Sequence, residues 1–183
     1  MAGFLIYSTL KPTVVSDLSP ASKETSAPPP GSPPNVGINI GDRAPDFSAS
    51  LLRATRGEFR LSDLRGNAVM MNFWASWCGP CRAEARDLEA AYQGYKARGV
   101  VFLGVDIFQD TWEDAVAFVK EFGITYPMVR DTTGKITTTY GVANIPTTYF
   151  LDREGIIRGR YLGGFLGDPG KQALKQRLED LVK

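Results

Sequence analysis

The chain has 183 residues, a formal charge of +1 and a soluble globular composition, which allows one domain of ordinary size plus a tail. The near-neutral charge gives no reason to expect a nucleic-acid partner. The absence of any histidine removes Ser-His-Asp and Cys-His nucleophile systems, haem attachment through Cys-x-x-Cys-His, and most catalytic metal sites.

The first apolar stretch, Ala2 to Tyr7, is too short at helical rise to cross a bilayer and lacks the basic start and small-residue cleavage site of a signal peptide. Two readings remain: the downstream end of a membrane anchor, or a disordered apolar tail. Ser16 to Pro34 is rich in Ser, Pro, Ala and Thr, with Pro28-Pro29-Pro30 and Pro33-Pro34, and reads as an extended tether. The division is therefore residues 1–37 as stub and tether and 38–183 as the folded domain. A tether between an apolar stub and a domain favours the anchor, whereas Lys11 on the downstream flank opposes an outward-facing domain under the positive-inside rule.

The domain opens with Gly41 to Phe47, an alternating segment through Leu52, a turn at Thr55-Arg56-Gly57 and a return strand from Glu58 to Leu61, together a hairpin. After a capped turn at Leu61–Gly66, the apolar run Ala68 to Trp74 predicts a strand buried on both faces. Arg82 to Arg98 continues a helix with Ala83, Leu88, Ala91, Tyr92 and Tyr95 on its apolar side, and Gly99 ends it. Val100–Val105 is a second buried strand. Asp110, with Glu113 three residues on, predicts a helix cap, and Trp112, Ala115, Val116, Val119 and Phe122 form the inward stripe. A short strand at Pro127–Val129 and a short helix at Ile136–Tyr140 follow. Thr147–Asp152 and Ile156–Leu162 form a hairpin, and Asp168-Pro169 caps a last helix with Leu174, Leu178 and Leu181 inward. Such an order predicts an α/β fold with a mixed sheet covered on both faces.

Between the first buried strand and its helix lie the chain's only two cysteines, Cys78 and Cys81. At helical geometry positions i and i+3 lie on one side, with Cα atoms roughly 5 Å apart, within the range a disulfide accepts. Cys78 sits at the helix N-terminus, where unpaired N–H groups and the macrodipole favour a thiolate. Cys81, one turn in, is expected to be more buried and less reactive. Pro80 suits the first turn because its missing N–H would be unpaired anyway, and Gly79 leaves the attacking sulfur open. A zinc site would need ligands the chain lacks. The other structural reading, a purely stabilising bridge, closes so short a loop that it constrains the unfolded chain little. Redox chemistry is the favoured reading.

The chain resembles the thioredoxin superfamily, and within it the membrane-tethered TlpA/ResA-type thiol-disulfide oxidoreductases. Ala44-Pro45-Asp46-Phe47, the run Asn72 to Glu84 and Ile145-Pro146-Thr147-Thr148 carry the likeness, in that order. It implies a thioredoxin-like three-layer fold with an N-terminal β-hairpin and an inserted strand–helix segment, and a Cys78–Cys81 disulfide that cycles with the dithiol. It implies that Ile145-Pro146 is a cis-proline loop, and that Trp77, Gly79, Pro80, Ile145 and Pro146 line the substrate face. Glu84 matches a family glutamate that assists proton movement; the simpler reading is a first-turn acid favoured by the helix dipole. Asn72 stands where plain thioredoxins carry a buried acid, and Arg86 where the family has a kinking proline.

The activity implied is protein-disulfide reduction, with no cofactor and no metal, since no nicotinamide or flavin fingerprint is present. Implied partners are protein disulfides, apocytochrome c among them, and an upstream dithiol electron donor. Implied surroundings are extracytoplasmic, in a bacterial envelope with membrane attachment through the N-terminus; the cytoplasm is the alternative. Two other functions compete. Ala44–Phe47 also resembles the start of peroxiredoxins, although those enzymes carry Pro and Thr where this chain has Met71 and Ala75. The second is a thioredoxin-fold binding module whose cysteines serve only stability.

Overall fold

The computed structural model describes residues 33–53 and 58–183. The apolar stub, all but the last two residues of the tether and the Thr55–Gly57 turn lie outside the described residues. Among the described residues no helix is long and apolar enough to cross a membrane.

Seven strands form one mixed sheet: β1 (Ser48–Leu51), β2 (Glu58–Arg60), β3 (Ala68–Trp74), β4 (Val100–Asp106), β5 (Met128–Arg130), β6 (Thr147–Leu151) and β7 (Ile157–Leu162). Four helices complete it: α1 (Gly79–Tyr95), α2 (Trp112–Glu121), α3 (Lys135–Thr139) and α4 (Gly167–Leu181). The strand order is β2-β1-β5-β4-β3-β6-β7. β3, β4 and β5 run parallel, and β6 pairs antiparallel with β3. The sequence of β3 is apolar without alternation because every one of its side chains is buried.

Topology decides which helix covers which face. The steps from β3 to β4 and from β4 to β5 move the same way across the sheet, so right-handed crossovers put α1 and α2 on one face. Asn72 and Trp74, two apart on β3, point there: Trp74 stacks on Phe118 of α2 with centroids 4.3 Å apart, and Asn72 reaches Glu84 of α1. α3, on the antiparallel connection from β5 to β6, lies on the other face, where Phe73 packs against Tyr140 and Tyr149. α4 returns to the α1 side, tied by Tyr95 and Arg98 to Glu179, both at 2.7 Å. The helix α2 and strand β5 are the inserted segment.

Four local expectations are corrected. Thr111, not Asp110, caps α2, its hydroxyl accepting from the Asp114 N–H at 3.1 Å; the Asp110 carboxylate is committed elsewhere. Ala115, Phe118 and Val119 form the buried stripe, while Trp112 and Val116, at its edge, are exposed. On α1 the inward side is set by Cys81, so Glu84, Ala85 and Leu88 are buried and Ala83, some 200° round from Cys81, faces solvent. Finally, α4 starts at Gly167 after Leu166, with no side-chain cap, and Asp168-Pro169 fall in its first turn.

Candidate active site

The chain leaves β3 at Trp74, turns through Ala75, Ser76 and Trp77, and enters α1 with Cys78 as the residue before the first helical position. Cys78 has extended backbone angles, and its Sγ accepts the Cys81 N–H at 3.2 Å. Pro80 occupies the first turn, where it forfeits no helical hydrogen bond. The two sulfurs are bonded, S–S 2.08 Å, with Cα atoms 5.2 Å apart. The expected contrast in burial is absent: Cys78 is 4% and Cys81 2% exposed, so the oxidised pair is covered at both ends. What is open is the rim, with Trp77 59% exposed and Gly79 and Pro80 also at the surface.

The Ile145–Pro146 bond is cis. Because β6 runs antiparallel to β3 with Thr147 opposite Phe73, Pro146 lies beside the end of β3, where the cysteine loop starts. Its carbonyl accepts the Gly163 N–H at 2.9 Å. A Cβ on the next residue, Gly164, would lie 3.3 Å from the Pro80 carbonyl oxygen, so the β7–α4 loop closes against the start of α1. Pro146 is buried and Ile145 half-buried.

Glu84 follows Cys81 by three residues and therefore lies on the same side of α1. It is buried, a rare state for a carboxyl group without an ion-pair partner. The Asn72 amide donates to Oε1 at 3.1 Å and to Thr148 Oγ1 at 3.0 Å, and the Phe165 N–H donates to Oε2 at 2.8 Å. Burial outweighs those two bonds and pushes the carboxyl from 4.5 up to about 7. The position that lacks an acid on β3 thus has one delivered to it from the helix. A raised carboxyl pKa gives stability that is fully present below 4.5 and lost as pH rises through about 7. Glu84→Gln is expected to flatten this part of the profile, on the order of 3 kcal/mol between pH 4.5 and 8. Urea unfolding at several pH values checks it; an unchanged slope would show that Glu84 does not titrate in this window.

The other motifs sort into packing. Asp46 Oδ1 accepts the Ser62 and Phe47 N–H groups, and the Pro45 carbonyl accepts the Tyr140 hydroxyl at 2.6 Å, so Ala44–Phe47 seals the α3 face. Arg86 leaves α1 unbroken from Gly79 to Tyr95 and sets its guanidinium 5.6 Å from the Phe122 ring centroid. Among the described residues no group of three or more His, Cys, Asp or Glu side chains could hold a metal ion. The polar cluster behind the cysteine loop, Asp106, Asp110 and Arg130, is not legible as a cluster in the sequence, where Asp110 reads as a helix cap and Asp106 only as an acid ending the apolar run of β4.

Comparison with known proteins agrees with this arrangement. Residues 40–160 match the AhpC/TSA family. The thiol-disulfide oxidoreductase ResA of Geobacillus thermodenitrificans is 34% identical over 144 residues, covering 79% of each chain. The ResA of Oceanobacillus iheyensis is 36% identical, covering 73% of this chain and 74% of that one. Among solved structures, a candidate thiol:disulfide interchange protein DsbE from Chlorobium tepidum superposes with a TM-score of 0.73 at 31% identity, over 80% of this chain and all of that one. With the fold, the bonded Cys-x-x-Cys pair and these relatives in agreement, the chain belongs to the AhpC/TSA family and is a thiol-disulfide oxidoreductase of the ResA kind.

Proposed function

We propose that the protein works as a reductase of protein disulfides. The Cys78 thiolate attacks one sulfur of a substrate disulfide, whose other sulfur leaves as thiolate. Cys81 then attacks Cys78 Sγ, which releases the second substrate thiolate and forms the Cys78–Cys81 bond. Two electrons pass to the substrate, and an upstream dithiol partner restores the pair. Glu84, held near pH 7, takes the proton that Cys81 must lose to become a nucleophile. Trp77, Gly79, Pro80 and the Ile145-Pro146 backbone receive the substrate strand. The observation that carries this reading is the bonded pair at the start of α1, set under an exposed rim and beside a cis proline.

The peroxidase alternative lacks its hydroxyl, since Met71 and Ala75 stand at the Pro and Thr positions and both are buried apolar groups. The proline-rich tether behind an apolar stub supports an extracytoplasmic domain attached through its N-terminus, with apocytochrome c among the substrates such a reductase would serve. The direction of flow is tested by a redox titration of Cys78 and Cys81. A potential at or below roughly −250 mV is expected, whereas one near about −120 mV, the range of strong oxidants, would reverse the assignment.

A further inference from the structure

Behind the cysteine loop lies a buried polar cluster that the exchange chemistry does not itself use. Asp110, at the end of the β4–α2 connection, is almost fully buried. Its Oδ1 accepts the Ser76 hydroxyl at 2.7 Å and the Thr111 N–H at 2.9 Å, and its Oδ2 accepts the Ser76 N–H. The Ser76 carbonyl is taken by Arg82 of α1 at 3.2 Å. Every polar group of Ser76 is therefore occupied, in the middle of a turn closed by the Cys78 N–H on the Ala75 carbonyl at 3.2 Å.

Asp110 is itself held. Arg130 of β5 donates to its backbone carbonyl and, through Nη1, to Asp106 Oδ2 at 3.0 Å. Asp106 ends β4 directly beside Trp74, the last residue of β3. Burial and the neighbouring Asp110 push the Asp106 carboxyl up to about 8 against the pull of Arg130.

We propose that Asp110 is a positioning residue for the dithiol, fixing through Ser76 the turn that aims Cys78 at Cys81. This rests on the exchange reading above. In the oxidised form the S–S bond already ties Cys78 to α1. In the reduced form Cys78 is held by the turn and by its carbonyl, which accepts the Arg82 N–H at 3.0 Å, so the Asp110–Ser76 bonds restrict the reduced state more than the oxidised one. Loosening them gives the dithiol freedom that it loses again on oxidation, and the effective concentration of one thiol at the other falls. A merely structural role would lower the stability of both forms alike and leave the redox equilibrium in place.

The test is the equilibrium of full-length protein with dithiothreitol, measured for the parent and for Asp110→Ala, Asp110→Asn and Ser76→Ala. Asp110→Ala is expected to weaken the disulfide about tenfold, or about 30 mV toward a less negative potential. Asn keeps an oxygen for the Ser76 N–H and an amide for its hydroxyl but turns that amide on the Thr111 N–H, so Asp110→Asn should shift the equilibrium less than Asp110→Ala, about threefold. Ser76→Ala, at a half-buried loop site where folding is not at risk, loses one of the two bonds and should shift the equilibrium about threefold. If Asp110→Ala does not fold, Ser76→Ala decides alone. Values for Asp110→Ala and Ser76→Ala within twofold of the parent overturn the positioning role, as does an Asp110→Asn value as large as that of Asp110→Ala. A parent that forms no disulfide equilibrium with dithiothreitol overturns the exchange reading instead.

Discussion

Cys78→Ser is expected to bring insulin-disulfide reduction down to the uncatalysed rate, a loss of roughly 10³-fold or more, as when an enzyme loses its nucleophile. The asymmetry between the two cysteines lies in their places on α1. Cys78 stands outside the first helical position, where the Cys81 N–H reaches its sulfur and the helix dipole is positive, both favouring the thiolate. Cys81 lies inside the helix with Glu84 one turn beyond it. Cys81→Ala should therefore leave the first attack intact and remove resolution, so that mixed disulfides with substrate proteins accumulate through Cys78. Non-reducing gels after acid trapping read this directly. Normal turnover by Cys78→Ser would sink the mechanism. A Cys81→Ala variant that gathers no mixed disulfide would favour a scaffold whose cysteines serve stability alone.

The parts legible in the sequence were those that local physics decides. The run Ala68–Trp74 reads as a doubly buried strand because nothing in it needs solvent, and the structure buries it between β4 and β6. The spacing of Cys78 and Cys81 reads as one helical turn because that spacing is a property of the helix and of nothing else in the fold. The cis geometry at Pro146 has no such local signature. It was reached through resemblance to a family, since an X-Pro bond on its own is compatible with either isomer.

What stayed hidden depends on partners far along the chain. Asp110 with Glu113 has the pattern of a capping box, yet Thr111 with Asp114 has an equally good one, shifted by a residue. The choice is made by Ser76, 34 positions earlier, which requires the Asp110 carboxylate. Glu84 looks like an ordinary first-turn acid until the sheet brings Asn72 beneath it and the β7–α4 loop brings the Phe165 N–H over it, 81 positions away in sequence. Ala83 reads as inward for the same reason: an apolar side chain next to an acid is the natural inward choice on composition. Here the register of α1 is set by Cys81, and the acid goes in.

That inward acid is coupled to the packing of α4, and the coupling gives the second large effect. Gly170 is buried in the first turn of α4, where a Cβ would meet the Phe165 carbonyl carbon at 2.4 Å, its Cα at 2.9 Å and its oxygen at 3.0 Å. These are backbone atoms and cannot swing aside as a side chain would. Phe165 is pinned as well, its ring stacked on Tyr161 with centroids 4.2 Å apart and its N–H bonded to Glu84. Gly170→Ala is therefore expected to destabilise by about 3 kcal/mol through overpacking, with about 1 kcal/mol returned by the better helix propensity of alanine. Gly94→Ala, in α1 with open space around its position, is the control and should stabilise by about 0.5–1 kcal/mol. Displacing Phe165 also takes from Glu84 a hydrogen bond that lowers its pKa, so the carboxyl should rise above its value of about 7. The fall in stability with rising pH, complete by about pH 8 in the parent, should then extend to higher pH in Gly170→Ala. Denaturant midpoints measured from pH 5 to 9 test both consequences. A midpoint equal to the parent's would mean that the first turn of α4 shifts freely. A lowered midpoint with an unmoved pH profile would mean that Phe165 keeps its hold on Glu84 and the strain is released elsewhere.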